Sequence, residues 1–213
     1  MKISRKIFLE KLAKNSLRVA FVGMSNIGKS LRARQLELNK NFDRVAVDEQ
    51  ILQFLNFKNF DEISRWLGFP FDENFFARQK KYLAAEKIFT EKKYFSKKNF
   101  VLDTTGSAIY LPKSTIDFLQ KKFLVIHLAL PEKFFAEILQ NFFERPKPLI
   151  WGEIFEFSNL PKKKLLAQNY EKLLHFREKK YREIADFSIE IFREKKISFA
   201  EFWEILLQNL SEK

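Results

Sequence analysis

One octet near the amino end restricts the fold more than any other part of the chain: Gly23-Met-Ser-Asn-Ile-Gly28-Lys29-Ser30. It satisfies the pattern GxxxxGK[ST] at every fixed position. An apolar run, Arg18-Val-Ala-Phe-Val22, leads into it, and a segment of helical spacing follows from Ser30 to Asn39. In such a loop successive backbone N–H groups turn inward, and the next helix adds its positive amino end. The expected ligand is the phosphate chain of ATP, held by Gly23, Met24, Ser25, Asn26, Ile27, Gly28, Lys29 and Ser30. Lys29 is expected at the β and γ phosphates, and the Ser30 hydroxyl on Mg²⁺. Glycine is scarce here, and two of the chain's five lie in this octet.

Strand-like apolar runs occur at Leu17 to Val22, Arg44 to Val47, Asn99 to Leu102, Phe123 to Leu130 and Phe187 to Ile191. Helical spacing separates them, at Ser30 to Asn39, Glu73 to Phe95, Ser114 to Lys122, Pro131 to Phe143 and Lys162 to Arg177. A last helix is expected over Ser198 to Leu210, and Met1 to Asn15 reads as a charged helical extension. On the long helix, Phe76, Lys80, Leu83 and Ile88 fall on one face. The alternation predicts one α/β domain over residues 1–213: a three-layer α/β/α P-loop fold with a five-stranded, mainly parallel sheet. Residues 145–161 hold three of the six prolines and read as a lid-like loop.

Composition narrows the chemistry. With no cysteine there is no disulfide, Cys-ligated zinc or thiol nucleophile. The two histidines, His127 and His175, are far apart, and His127 sits in an apolar run as a core residue. No apolar run reaches the length of a membrane span, and nothing resembles a secretion signal, so a cytoplasmic location without membrane contact is expected. The net charge of +12 admits polyanionic partners. Its lysines, however, come in short runs alternating with glutamates, as on a solvated face, and a nucleic-acid partner is not expected.

A phosphate loop alone admits GTPases, motors, helicases and kinases. No NKxD-type guanine reader is present, since Lys40-Asn41-Phe42-Asp43 has the wrong order. Motor and helicase cores need a longer chain, so 213 residues with a lid-like loop favour a small-molecule kinase.

Four segments then bring a family into view. They are the loop GMSNIGKS; Val47-Asp48-Glu-Gln-Ile51; Phe100-Val-Leu-Asp103-Thr-Thr-Gly106-Ser-Ala; and the pair Lys147-Pro-Leu-Ile150 and Arg177-Glu-Lys-Lys-Tyr181-Arg-Glu-Ile-Ala-Asp186. From about Leu17 to Ile191 the chain resembles the shikimate kinases, P-loop small-molecule kinases of the nucleoside monophosphate kinase-like fold. That family carries RPLL in its lid and R-x-x-x-Y-x-E-x-A-D thereafter. The resemblance implies a monomeric enzyme that uses ATP and Mg²⁺ to phosphorylate a hydroxyl of a small acidic acceptor, shikimate first. Gluconate, nucleoside or nucleotide kinases are the alternatives, as is a degenerate ATP-binding protein with a regulatory or RNA-associated role.

The roles follow the same resemblance. Asp48 orients the acceptor hydroxyl and takes its proton, although a helix N-cap is also open to it. Arg177 grips the acceptor carboxylate, with Arg78 as a second candidate, and Gly106 lies in the turn that approaches the acceptor. Asp103 holds Mg²⁺ with Ser30, in place of an Asp that the family carries where this chain has Ala46. Arg145 and Lys147 are the lid cations that close over the transferring phosphate. Two departures touch the acceptor side: the family's triple-glycine turn is here Thr105-Gly106-Ser107, and Trp151 to Phe157 adds aromatics to the lid.

Overall fold

The computed structural model describes residues 3–144, 149–191 and 197–211. Its centre is a sheet of five strands, all parallel, in the order β2-β3-β1-β4-β5. The strands are β1 (Arg18–Val22), β2 (Phe42–Ala46), β3 (Asn99–Asp103), β4 (Leu124–Ala129) and β5 (Phe187–Glu190). β3 and β4 are buried along their whole length, as expected of parallel strands covered on both faces.

The helices are α1 (Arg5–Ala13), α2 (Lys29–Lys40), α3 (Val47–Phe54), α4 (Phe60–Leu67), α5 (Phe75–Glu91), α6 (Lys113–Lys122), α7 (Phe135–Glu144), α8 (Lys162–Ile184) and α9 (Phe199–Gln208). α4 was not expected from spacing. Asn59 starts it by accepting the Glu62 N–H at 2.9 Å, while Glu62 reaches back to the Lys58 N–H at 2.8 Å. Ser198 and Glu201 build a capping box of the same kind on α9. The last helix packs on the first, with Phe8 and Trp203 ring centroids 5.8 Å apart, and a single parallel bridge joins Ser4 to Ser211. No helix among the described residues is long and apolar enough to cross a membrane.

Three expectations need correction. The apolar face assigned to the long helix is not the buried one: Phe76 and Ile88 are both 52% exposed, and α5 turns Phe75, Tyr82, Ala85, Glu86 and Thr90 inward. Polar groups on that inner face disguised it. α3 starts at Val47 with Ala46 at the cap position, so Asp48 lies in the first turn and is not the N-cap. The segment expected as a lid-like loop is partly core: Ile150 and Trp151 are buried, and Trp151 packs against Phe142, Phe155 and Tyr170. Its backbone is tied to α5 through Gln79, whose side-chain oxygen accepts the N–H groups of Trp151 and Gly152 at 3.0 and 3.2 Å.

Candidate active site

All five strands point their carboxyl ends to one edge of the sheet, and β1 there meets neighbours on both sides. The loop after β1 therefore opens at the switch point where parallel sheets hold ligands. It lines a cleft of about 560 Å³ together with Asp48, Phe60, Tyr82, the Thr104 to Ser107 turn, Asn141, Ile150 and Arg177.

Ser25, Asn26, Gly28, Lys29 and Ser30 face this cleft. Gly28, at φ +104°, adopts a left-handed conformation that side chains rarely take, and it releases the chain into α2. Lys29 is buried, and its ammonium donates to the carbonyls of Gly23 and Met24 at 2.9 Å each. Those bonds fold the lysine back across the loop, where an incoming phosphate could exchange with the carbonyls. Met24 and Ile27 are buried core residues behind the loop.

Asp103 ends β3 in register with Phe21 of β1 and Ala46 of β2. Its carboxylate is 1% exposed, and neither oxygen makes a hydrogen bond of good geometry among the described residues. The nearest positive groups are Arg44, whose Nη1 lies 3.8 Å away, and Lys29. Burial pushes the Asp103 carboxyl above its usual range against the pull of Lys29, the Ser30 hydroxyl and Arg44. Two unsatisfied buried oxygens beside Ser30 fit a hard divalent cation, which takes carboxylate, hydroxyl and water oxygens.

Across the cleft, Gly106 presses on the phosphate loop: a Cβ there would stand 2.9 Å from Ser25 Oγ and 3.2 Å from its backbone nitrogen. Steric closeness accounts for this glycine, while its neighbours Thr105 and Ser107 are free to carry side chains. Tyr181 fixes the turn from behind by donating to the Gly106 carbonyl. Arg177, 2% exposed, donates through Nη2 to the Ile150 carbonyl and lies 5.4 Å from the Tyr110 ring centroid. Its Nη1 would stand 3.6 Å from a Cβ placed on Gly106. One Nη2 hydrogen is taken by Ile150, which leaves Nη1 and the second Nη2 hydrogen for a carboxylate. Asp48, half-buried, accepts its neighbour Glu49's N–H at 2.9 Å and faces the same cleft.

Of the other expected site residues, Arg78 is half-buried one turn before Tyr82 and is not among the cleft-lining residues. At the place on α5 that meets the cleft stands Tyr82. Arg145 and Lys147 lie outside the described residues. His127 is fully buried, with Nδ1 3.0 Å from Ser188 Oγ, and belongs to the core as expected.

Glu86 was not foreseen. It is fully buried on α5 and receives the hydroxyls of Thr105 and Ser107. Burial raises its carboxyl to about 7, although both hydroxyls, Arg177 and Lys29 pull it down. The glutamate next to two alanines, Ala84-Ala85-Glu86, reads in sequence as an ordinary exposed helix residue. Only the polar residues flanking Gly106 in the Thr105-Gly106-Ser107 turn hinted at a polar wall here.

The geometry matches solved structures closely enough to place the fold. A shikimate kinase from Acinetobacter baumannii, solved with shikimate, superposes at a TM-score of 0.59 with 20% identity, over 92% of this chain and 97% of that one. The chain has the fold of the shikimate kinases. The enzyme from Bacteroides thetaiotaomicron gives 0.56 at 15% identity, over 90% of this chain and 98% of that one. That from Aquifex aeolicus gives 0.53 at 20% identity, over 90% and 95%. No protein-family model matches the chain, and no curated protein does. The shikimate-kinase fold is therefore carried here on a sequence far removed from those relatives.

Proposed function

We propose that this protein is a Mg²⁺·ATP-dependent small-molecule kinase that phosphorylates a hydroxyl of a small acidic acceptor, with shikimate the first candidate. One observation carries the reading: a complete phosphate loop and the pair Asp48 and Arg177 face one cleft of about 560 Å³. A site that holds the triphosphate on one wall, with a carboxylate and a guanidinium on the others, is arranged for in-line transfer to a bound alcohol.

In this reading the loop amides and Lys29 bind the β and γ phosphates. Ser30 and Asp103 would hold Mg²⁺, which when bound supplies positive charge to the phosphate oxygens. The register of β2 with β3 supports that assignment, because Ala46 stands directly beside Asp103. The metal carboxylate has moved by one strand while staying at the same level of the sheet. Asp48 accepts the proton of the attacking hydroxyl and orients its oxygen. Arg177 neutralises the acceptor's carboxylate, and Ile150 with the aromatic cluster behind it shuts water out of that side.

The test is ADP release from Mg²⁺·ATP with shikimate, against a panel of gluconate, other hydroxy acids, polyols and nucleosides. Stimulation by shikimate, lost in Asp48→Asn and weakened in Arg177→Ala, supports the proposal. Stimulation by a different acceptor reassigns the substrate and keeps the mechanism. ATP binding with silence across the panel would reject the kinase reading in favour of a regulatory ATP-binding protein.

A further inference from the structure

Behind the acceptor wall three side chains close a ring. The Thr105 hydroxyl meets one oxygen of Glu86, Ser107 Oγ lies 2.5 Å from the other, and the two hydroxyl oxygens are 2.8 Å apart. Thr105 and Ser107 line the cleft, whereas Glu86 is fully buried behind them. Each of the three contacts needs one proton between its oxygens. The hydroxyls supply two, so a closed ring requires the third on Glu86. The carboxyl then donates to one hydroxyl, that hydroxyl to the other, and the second back to the carboxyl. Without the third proton, both hydroxyls must donate to the carboxylate. Thr105 Oγ1, which also accepts the Ser107 N–H at 3.0 Å, and Ser107 Oγ, which also bonds to the Tyr82 hydroxyl, are then left facing each other with no proton between them.

We propose that Glu86 is a positioning residue for the acceptor: when ionised it turns both hydroxyl protons away from the cleft, so that Thr105 and Ser107 together accept a hydrogen bond from a hydroxyl of the bound molecule. The inference rests on the kinase reading and narrows its substrate class. The acceptor carries a further hydroxyl besides the one phosphorylated, and presents it to this wall. A carboxylate placed there would face two lone-pair oxygens with a negative charge behind them, so any carboxylate of the acceptor points to Arg177 instead.

The surroundings put the change within reach of neutral pH. Lys29 from α2 and Arg177 from α8 favour the ionised form, and burial opposes it. The remaining titratable neighbours are Tyr82, on the same helix and against Ser107 and Asp48, and Tyr181 from α8. Burial raises both phenols, so they stay neutral throughout.

Glu86→Gln is the informative variant. A glutamine amide donates to one hydroxyl and accepts from the other, which fixes the ring in its closed arrangement at every pH. With shikimate as the probe, the wild-type KM for the acceptor should fall about tenfold between about pH 6 and about pH 8, as one charge-assisted hydrogen bond becomes available. The KM for ATP should not follow. E86Q should hold the high acceptor KM across that range with kcat little changed, and Ser107→Ala, which keeps the carboxyl but removes one of its two hydroxyl partners, should abolish the step and move the carboxyl's titration upward. Infrared spectroscopy supplies a readout independent of turnover: a protonated-carboxyl band that titrates near neutrality and is missing from E86Q. Turnover without that band, or with one acceptor-KM profile shared by wild type and E86Q, overturns this proposal alone. If another member of the panel is the acceptor, the same comparison is made with it. Silence across the panel overturns the kinase reading and this inference with it.

Discussion

The two walls of the cleft use different materials. The phosphate-loop side is built around backbone: a left-handed glycine and a lysine bonded to loop carbonyls. The side proposed to hold the acceptor is built from side chains: Glu86 with two hydroxyls, Arg177 on a carbonyl and a ring, and Trp151 plugged between α7 and α8. A backbone cradle tolerates little variation because its ligand, a phosphate chain, does not vary. A side-chain wall can be exchanged residue by residue, and here hydroxyls flank the single glycine that steric closeness to Ser25 requires.

That contrast can be broken experimentally. Lys29→Ala should lower kcat by about a thousandfold, through loss of the charge on the transferring phosphate, with the thermal midpoint almost unmoved. An equal loss of stability and activity would mean that Lys29 holds the loop together instead. Trp151→Ala should destabilise the fold by about 3–5 kcal/mol, the cost of emptying a large buried aromatic site, and should raise the acceptor KM more than the ATP KM. Calorimetry and steady-state kinetics separate the two effects. Gly106→Ala sits where the walls touch. Its added methyl at 2.9 Å from Ser25 Oγ should cost about 1–3 kcal/mol and impair both substrates together. An effect confined to one substrate would place the contact wholly on one wall.

The smallest expected effect is a pH slope. Glu86 is raised from 4.5 to about 7 in the folded protein, so the native state holds a proton that the unfolded chain releases earlier. Its contribution is complete below the unfolded value and is lost as pH rises through about 7. Thermal melts of wild type against E86Q should therefore converge toward acid and diverge above neutrality, with the variant relatively more stable there. Parallel melting curves would mean that Glu86 is ionised throughout.

Legibility followed the same division. The three central strands β1, β3 and β4 and the phosphate loop were plain in the sequence, because strands covered on both faces are largely apolar runs and the loop is a fixed local pattern. α4 was missed because it is only eight residues long and its start depends on a cap in which Asn59 accepts the Glu62 N–H and Glu62 accepts the Lys58 N–H. The inner face of α5 was misread because Tyr82, Glu86 and Thr90 are polar, and the burial of Glu86 makes sense only beside a turn 19 to 21 residues further on. Asp103 was legible from its place at a strand end. That Ala46 is its cross-strand neighbour follows only from the sheet order. Arg78 was the second candidate after Arg177 for its charge, and the α5 residue that lines the cleft is the tyrosine one turn on.

The pairing of Ser4 with Ser211, with the Arg5 N–H donating to the Ser211 carbonyl at 2.8 Å, has a kinetic meaning. It joins residues separated by nearly the whole chain, so its loop-closure entropy is the largest in the molecule. Contacts of that kind form after the sheet has assembled and open before it does. The docking of α9 on α1 should thus be the last folding event and the first local opening, and the Arg5 amide should exchange with solvent well ahead of those in β1.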